Sequence, residues 1–138
     1  MSIVQTTTTS FKQEVLLGVH NLNVDTLKLA LYTANADLNA GTTVYGTTAE
    51  VVGTGYTAGG VILTGVSVAV SGTTAFVTFE NAVWNLAAFT ARCALIYNSS
   101  KGNKAVAVLD FGADKTATST FTVQMPANTA TTALIRFV

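Results

Sequence analysis

His20, Cys93 and seven carboxylates are the groups that acid–base or thiol chemistry would need in this chain. A catalytic histidine requires a positioned nucleophile or substrate and usually a carboxylate that orients it. Asp25 is the nearest candidate in sequence to His20, but nothing around them marks a nucleophile. His20 therefore reads as a structural hydrogen-bonding residue. Cys93 falls by parity on the same strand face as Leu95, and a buried free cysteine behaves as a small apolar residue. A reactive thiolate would want a cation or a helix N-terminus beside it. The adjacent Arg92 points to the opposite face. A lone cysteine excludes both an internal disulfide and a cysteine-cluster metal site.

Asp110 and Asp114 are the one close acidic pair considered for a cation, since calcium prefers oxygen ligands. Lys115 beside them and a spacing that fits no standard loop make a solvated turn the better reading. Residues 53–60, Gly-Thr-Gly-Tyr-Thr-Ala-Gly-Gly, invite comparison with phosphate-binding loops. They lack the terminal Gly-Lys-Ser/Thr and the strand-to-helix context such loops need. The segment reads as a structural loop whose flat backbone lies against a partner, with Tyr56 as its core anchor or an interface residue. Phe76, Phe79, Trp84 and Phe89 cluster in sequence. Exposed rings of this kind can stack on bases or sugars, but core packing explains them more simply. No catalytic, cofactor-binding or metal-binding residue is assigned, and no cofactor is expected.

These residues must be positioned by short elements. Residues 10–18 are the one good helix candidate, with Ser10 as cap, Gln13 at capping-box spacing and Gly18 as the stop. Phe11, Val15, Leu16 and Val19 form its apolar face. Leu27, Leu29 and Leu31 alternate with Lys28, Ala30 and Tyr32, which predicts a strand over 25–33. Residues 34–45 read as a loop, and 47–52 are ambiguous between a helical turn and a strand. Strands are expected over 61–70, with Gly65 as a bulge, and over 75–79 after a hairpin at 71–74. Others are expected at 82–86, 90–97, 104–111, 119–125 and 132–137, with 112–118 as a loop. Seven to nine short strands with one N-terminal helix suggest a mainly β fold, an antiparallel β-sandwich or jelly-roll-like domain. Residues 1–9, rich in threonine, read as an N-terminal arm that orders on a neighbouring subunit, and 10–138 as a single domain. Deleting residues 2–9 is then expected to leave the domain folded but to weaken assembly.

Composition supports the class and narrows the function. The 138 residues include 24 threonines and 11 glycines against one proline, and hydrophobic residues make up 49%. β-Branched residues favour strands. Seven basic residues balance seven acidic ones, and charged residues total only 10%, against about 25% in ordinary soluble domains. That balance argues against nucleic acid as a partner, which clustered Lys and Arg would bind. It argues equally against anionic membranes. No apolar run approaches the ~20 residues of a membrane span, and residues 1–10 lack a secretory-signal pattern. A surface so poor in charge suggests a chain covered by copies of itself or by a partner.

Five blocks carry a resemblance. They are Ser10-Phe-Lys-Gln-Glu-Val-Leu-Leu-Gly-Val-His20, Asp25-Thr-Leu-Lys-Leu-Ala-Leu-Tyr-Thr33, the glycine-rich 53–60, Thr90-Ala-Arg-Cys-Ala-Leu-Ile-Tyr-Asn-Ser-Ser100 and Ala105-Val-Ala-Val-Leu-Asp-Phe-Gly112. Together they resemble small virion structural proteins of tailed bacteriophages, most like the head decoration, or cement, proteins. The resemblance implies a non-enzymatic protein made in the host cytoplasm that binds the outside of the assembled capsid. It implies the major capsid protein and copies of itself, as a dimer or trimer, as partners. A tail, neck or fibre-adaptor protein of the same virus is the alternative. A carbohydrate-binding module is a further one, and its mark would be an exposed Trp84.

Overall fold

A computed structural model describes residues 2–137. Ten strands and one α-helix follow in chain order: β1 (Thr6–Thr7), α1 (Thr9–Leu16), β2 (Leu27–Tyr32), β3 (Val61–Ile62), β4 (Ser67–Ser71), β5 (Thr74–Thr78), β6 (Ala82–Asn85), β7 (Phe89–Asn98), β8 (Lys104–Ala117), β9 (Thr120–Val123) and β10 (Ile135–Phe137). A 3-10 turn at Ser99–Lys101 joins β7 to β8. The fold is mainly β, an antiparallel sandwich-like domain with one short N-terminal helix.

The front layer is a five-stranded sheet in the order β1-β8-β7-β2-β3. Its centre is the pairing of β2 with β7, in register from Leu27 opposite Asn98 to Tyr32 opposite Cys93. The back layer is two smaller sheets, β10-β5-β4 and β6-β9. Between the layers lies the main core, which takes Leu27, Leu29 and Leu31 from β2, Ile96 from β7, Val77 from β5, Trp84 from β6 and Phe121 from β9. Each such aliphatic side chain, fully buried, contributes about 1.5–3 kcal/mol. The alternate residues of the same strands are buried as well. Ala30, Tyr32, Cys93, Leu95 and Tyr97 form a second core on the outer face of the front sheet. Its cover is the segment read as a loop, which brings down Ala36, Leu38 and Tyr45. This explains why Ala30 and Tyr32 sit at positions where a one-sided strand would carry polar groups.

Four expectations are corrected. The helix begins earlier, and its cap is Thr8 rather than Ser10. The Thr8 hydroxyl accepts the Phe11 amide at 3.2 Å, and the residue is fully buried. The stop is as expected. Gly18, at φ +73°, gives its amide to Val15 while Val19 reaches back to Glu14, a Schellman closure.

The single strand expected over 61–70 is two strands in different layers. Gly65 sits at φ +63°, and its left-handed turn sends the chain from the front sheet to the back one. The expected loop at 112–118 continues β8, with Phe89 opposite Ala117 and Ala91 opposite Lys115. Its residues are mostly exposed, so their polar character hid the strand.

The N-terminal arm lies along this chain's own sheet. Ile3 bridges Leu38, and Thr6 and Thr7 pair with Val108 and Ala107.

Candidate functional site

Glu50 is the most enclosed acid of the chain's interior, 7% exposed, and it gathers the chain's four tyrosines. Its carboxylate accepts the Tyr45 hydroxyl at 2.7 Å, the Tyr56 hydroxyl at 2.5 Å and the Gly59 amide at 2.8 Å. The Tyr97 hydroxyl donates to the Gly59 carbonyl at 2.6 Å, and its ring stacks on Tyr45 with centroids 4.6 Å apart. Tyr32 donates to the Gly46 carbonyl at 2.7 Å. Burial first, and the Glu50 charge second, push the Tyr32 hydroxyl well above its ordinary range. The same two effects raise Tyr45, Tyr56 and Tyr97, with Glu50's hydrogen bond adding to the first two. Both oxygens of the acid are used by neighbours, so the network ties these loops together. Sequence reasoning missed it because Glu50 and its partners span residues 32–97. The acid's setting between Ala49 and Val51 was the one local signal.

The glycine-rich loop is shaped by that network. A side chain at Gly60, φ +80°, would strike the backbone of Leu29 and Ala30. One at Gly55 would meet the Leu86 carbonyl and the Ala87 backbone. One side of the loop's backbone therefore packs on this chain's own backbone, at Leu29–Ala30 and Leu86–Ala87. Tyr56 is the core anchor, since its hydroxyl also accepts the Leu31 amide at 2.9 Å.

His20 and Asp25 do approach each other, but through Asn98. The Asn98 Oδ1 accepts the Ser100 amide at 3.0 Å, which fixes its Nδ2 as the donor end. That nitrogen lies 2.8 Å from Asp25 Oδ2 and 3.0 Å from His20 Nδ1. His20 Nε2 faces Glu14 Oε1 at 2.9 Å, so the ring carries its proton there. The His20 side chain has no exposed surface. Burial raises the Asp25 carboxyl, but hydrogen bonds from Asn21 and Asn98, with the charge of Lys101, outweigh it and hold the group below its usual range. The cluster pins the start of β2 to the 3-10 turn.

The remaining candidates separate. Cys93 is fully buried, and burial, then Asp110, push its thiol up to about 12. It is mostly protonated at neutral pH and a poor nucleophile. Asp110 meets Arg92 at 3.4 Å and accepts the Gly112 amide at 2.8 Å. Asp114 stands on the exposed part of β8. Among the described residues no three His, Cys, Asp or Glu side chains converge on a metal position. Trp84, Phe76, Phe79 and Phe89 are all buried, with Trp84 edge-on to Phe121. The exposed tryptophan that would mark a carbohydrate-binding module is absent at Trp84.

The surface carries more than the interior. Leu16 and Leu17 at the end of α1 are strongly exposed, as are Val68 and Val70 on β4. β4 is an edge strand, Ser-Val-Ala-Val-Ser, without charge or proline. A pocket of about 370 Å³ opens between the helix end and this sheet, lined by Val15, Leu22, Val68 and Phe137 among others. A second, larger groove of about 1050 Å³ runs beside β9. No family model, characterised protein or solved structure matches the chain.

Proposed function

We propose that this chain is a non-enzymatic structural protein of a tailed-phage virion, a head decoration protein that clamps coat subunits from outside. The observation that carries the reading is the β4 edge. Monomeric proteins protect an edge strand with lysine, proline, a bulge or a cover. β4 has an uncharged sequence and two exposed valines. Such an edge suits a protein that is covered in use. The blocks that resemble virion structural proteins and the charge-poor composition point the same way. The proposed partners are the major capsid protein and further copies of this chain, as a dimer or trimer on the capsid axes. The proposed location is the capsid surface, after synthesis in the host cytoplasm.

A clamp acts by shape and burial. It needs rigid elements and large complementary area rather than tuned acids. The Glu50 network and the double-sided front sheet supply the rigidity. A tail, neck or fibre-adaptor role would use the same features, so copy number separates the two. Quantitative mass spectrometry of purified virions is expected to find this chain in amounts approaching the coat protein. A copy number as low as that of neck or tail components would overturn the decoration role.

A further inference from the structure

The back layer is interrupted. β9 pairs with β6 on one side only, and β10 pairs with β5 on one side only. Both strands pack on the main core through Phe121, Val123 and Ile135. No ladder joins them. β9 borders the groove of about 1050 Å³ along its whole length, while β10 gives it Arg136 alone, its Ile135 and Phe137 lining the smaller pocket instead. Each residue from 120 to 126 lines that groove, so β9 presents its edge to it, not a face. Beneath lie Leu109, Phe111, Met125 and Leu134, which pack against the core but remain only partly buried. The gap is thus bounded by the open backbone edge of β9 and floored by unfinished core.

Such a gap fits one kind of occupant. Backbone edges are satisfied by another extended backbone, and alternate side chains fill the apolar floor. A five-residue strand at ~3.3 Å per residue, in a slot ~4.8 Å wide and ~10 Å deep, needs roughly 800 Å³. The groove is of that size. The charged side chains lining it are Lys115 and Arg136, both cations, with no acid among them. Arg136 is exposed and is held by the Thr131 carbonyl. Neither cation makes an ion pair among the described residues.

We propose that this groove takes an extended segment of another protein as an inserted β-strand, with alternating apolar residues and a carboxylate at one end facing Lys115 or Arg136. The inserted strand would extend the back layer from the open edge of β9. This inference stands apart from the virion reading, since any partner with such a segment would serve.

The test uses the full chain and a synthetic capped peptide, Asp-Val-Thr-Val-Thr-Val-Asp, followed by amide NMR and hydrogen exchange. Binding is expected to shift and protect amides within 120–125 and to shift those of 133–136. A Lys-flanked version should bind about tenfold more weakly, a rim-charge effect of ordinary size. Arg136→Glu should reverse that preference, and Lys115→Glu provides a second charge swap should the first variant not fold. No change at these amides with millimolar peptide would overturn the proposal. Equal binding of both peptides to all variants would overturn the acidic partner. Amides already protected in concentrated protein, and exposed on dilution, would give the groove to a second copy of this chain instead.

Discussion

The Tyr56 hydroxyl stands between the Glu50 carboxylate at 2.5 Å and the Leu31 amide at 2.9 Å. One side chain thereby fastens the glycine-rich loop both to a buried acid and to the backbone of β2. Glu50 in turn takes Tyr45 and the Gly59 amide. Glu50→Ala removes the acceptor from three donors at once. Leaving buried donors unsatisfied costs about 1–3 kcal/mol each before relaxation, so a loss of roughly 3 kcal/mol or more is expected in urea denaturation. Glu50→Gln keeps the shape and one acceptor oxygen and should cost less. A midpoint unchanged by Glu50→Ala would refute the network's structural role.

The four tyrosines give that network a pH signature. Their folded values lie above the ordinary 10.0. Above pH 10 the unfolded chain releases phenolic protons that the folded chain keeps. Stability is therefore full below about pH 10 and falls as pH rises further. Phenolate absorbance should appear together with loss of the fold. A smooth titration near pH 10 in protein that stays folded would contradict this.

Gly60 and Gly18 separate space from strain. Both have positive φ, but a side chain at Gly18 meets nothing within 4 Å, whereas one at Gly60 meets the Leu29 and Ala30 backbone. Gly18→Ala should cost about 1–2 kcal/mol, the left-handed penalty alone. Gly60→Ala should cost clearly more, roughly 3 kcal/mol or above, because backbone must also move. Thermal unfolding of the two variants gives the comparison. Equal losses would mean that the loop does not press on β2 as described.

The N-terminal segment belongs to the domain's own stability. Thr8 caps α1, its hydroxyl also reaches the Ala105 carbonyl at 3.3 Å, and the Gln5 side chain accepts the Asp110 amide at 3.0 Å. The cap alone contributes about 0.5–2 kcal/mol, and the β1 pairing adds to it. A chain lacking residues 2–8 should unfold at distinctly lower urea, where a free arm would have left the midpoint alone. An unchanged midpoint would restore the free-arm reading.

Local pattern made the front sheet legible. The Leu27, Leu29, Leu31 alternation and the run from Ala91 to Tyr97 mark β2 and β7 without help from the rest of the chain. The helix stop at Gly18 was equally local. What escaped depended on distance. Thr8 outcompetes Ser10 as cap because β8 lies beside it, and sequence spacing cannot show that. The polar end of β8 looked like a loop because it projects beyond the core while still pairing with Phe89 and Thr90. Glu50 finds its partners only once residues 32–97 have folded around it. The edge of β9 is invisible in sequence, because an unpaired edge depends on which strands the topology leaves apart.

The proposed decoration role is tested most directly by cryo-EM reconstruction of purified virions of the phage proposed to encode the chain, with this domain fitted into the map. The account predicts density for the domain at repeated positions over the head shell, on or between coat subunits. Density confined to the neck or tail, or none on the particle, would contradict it.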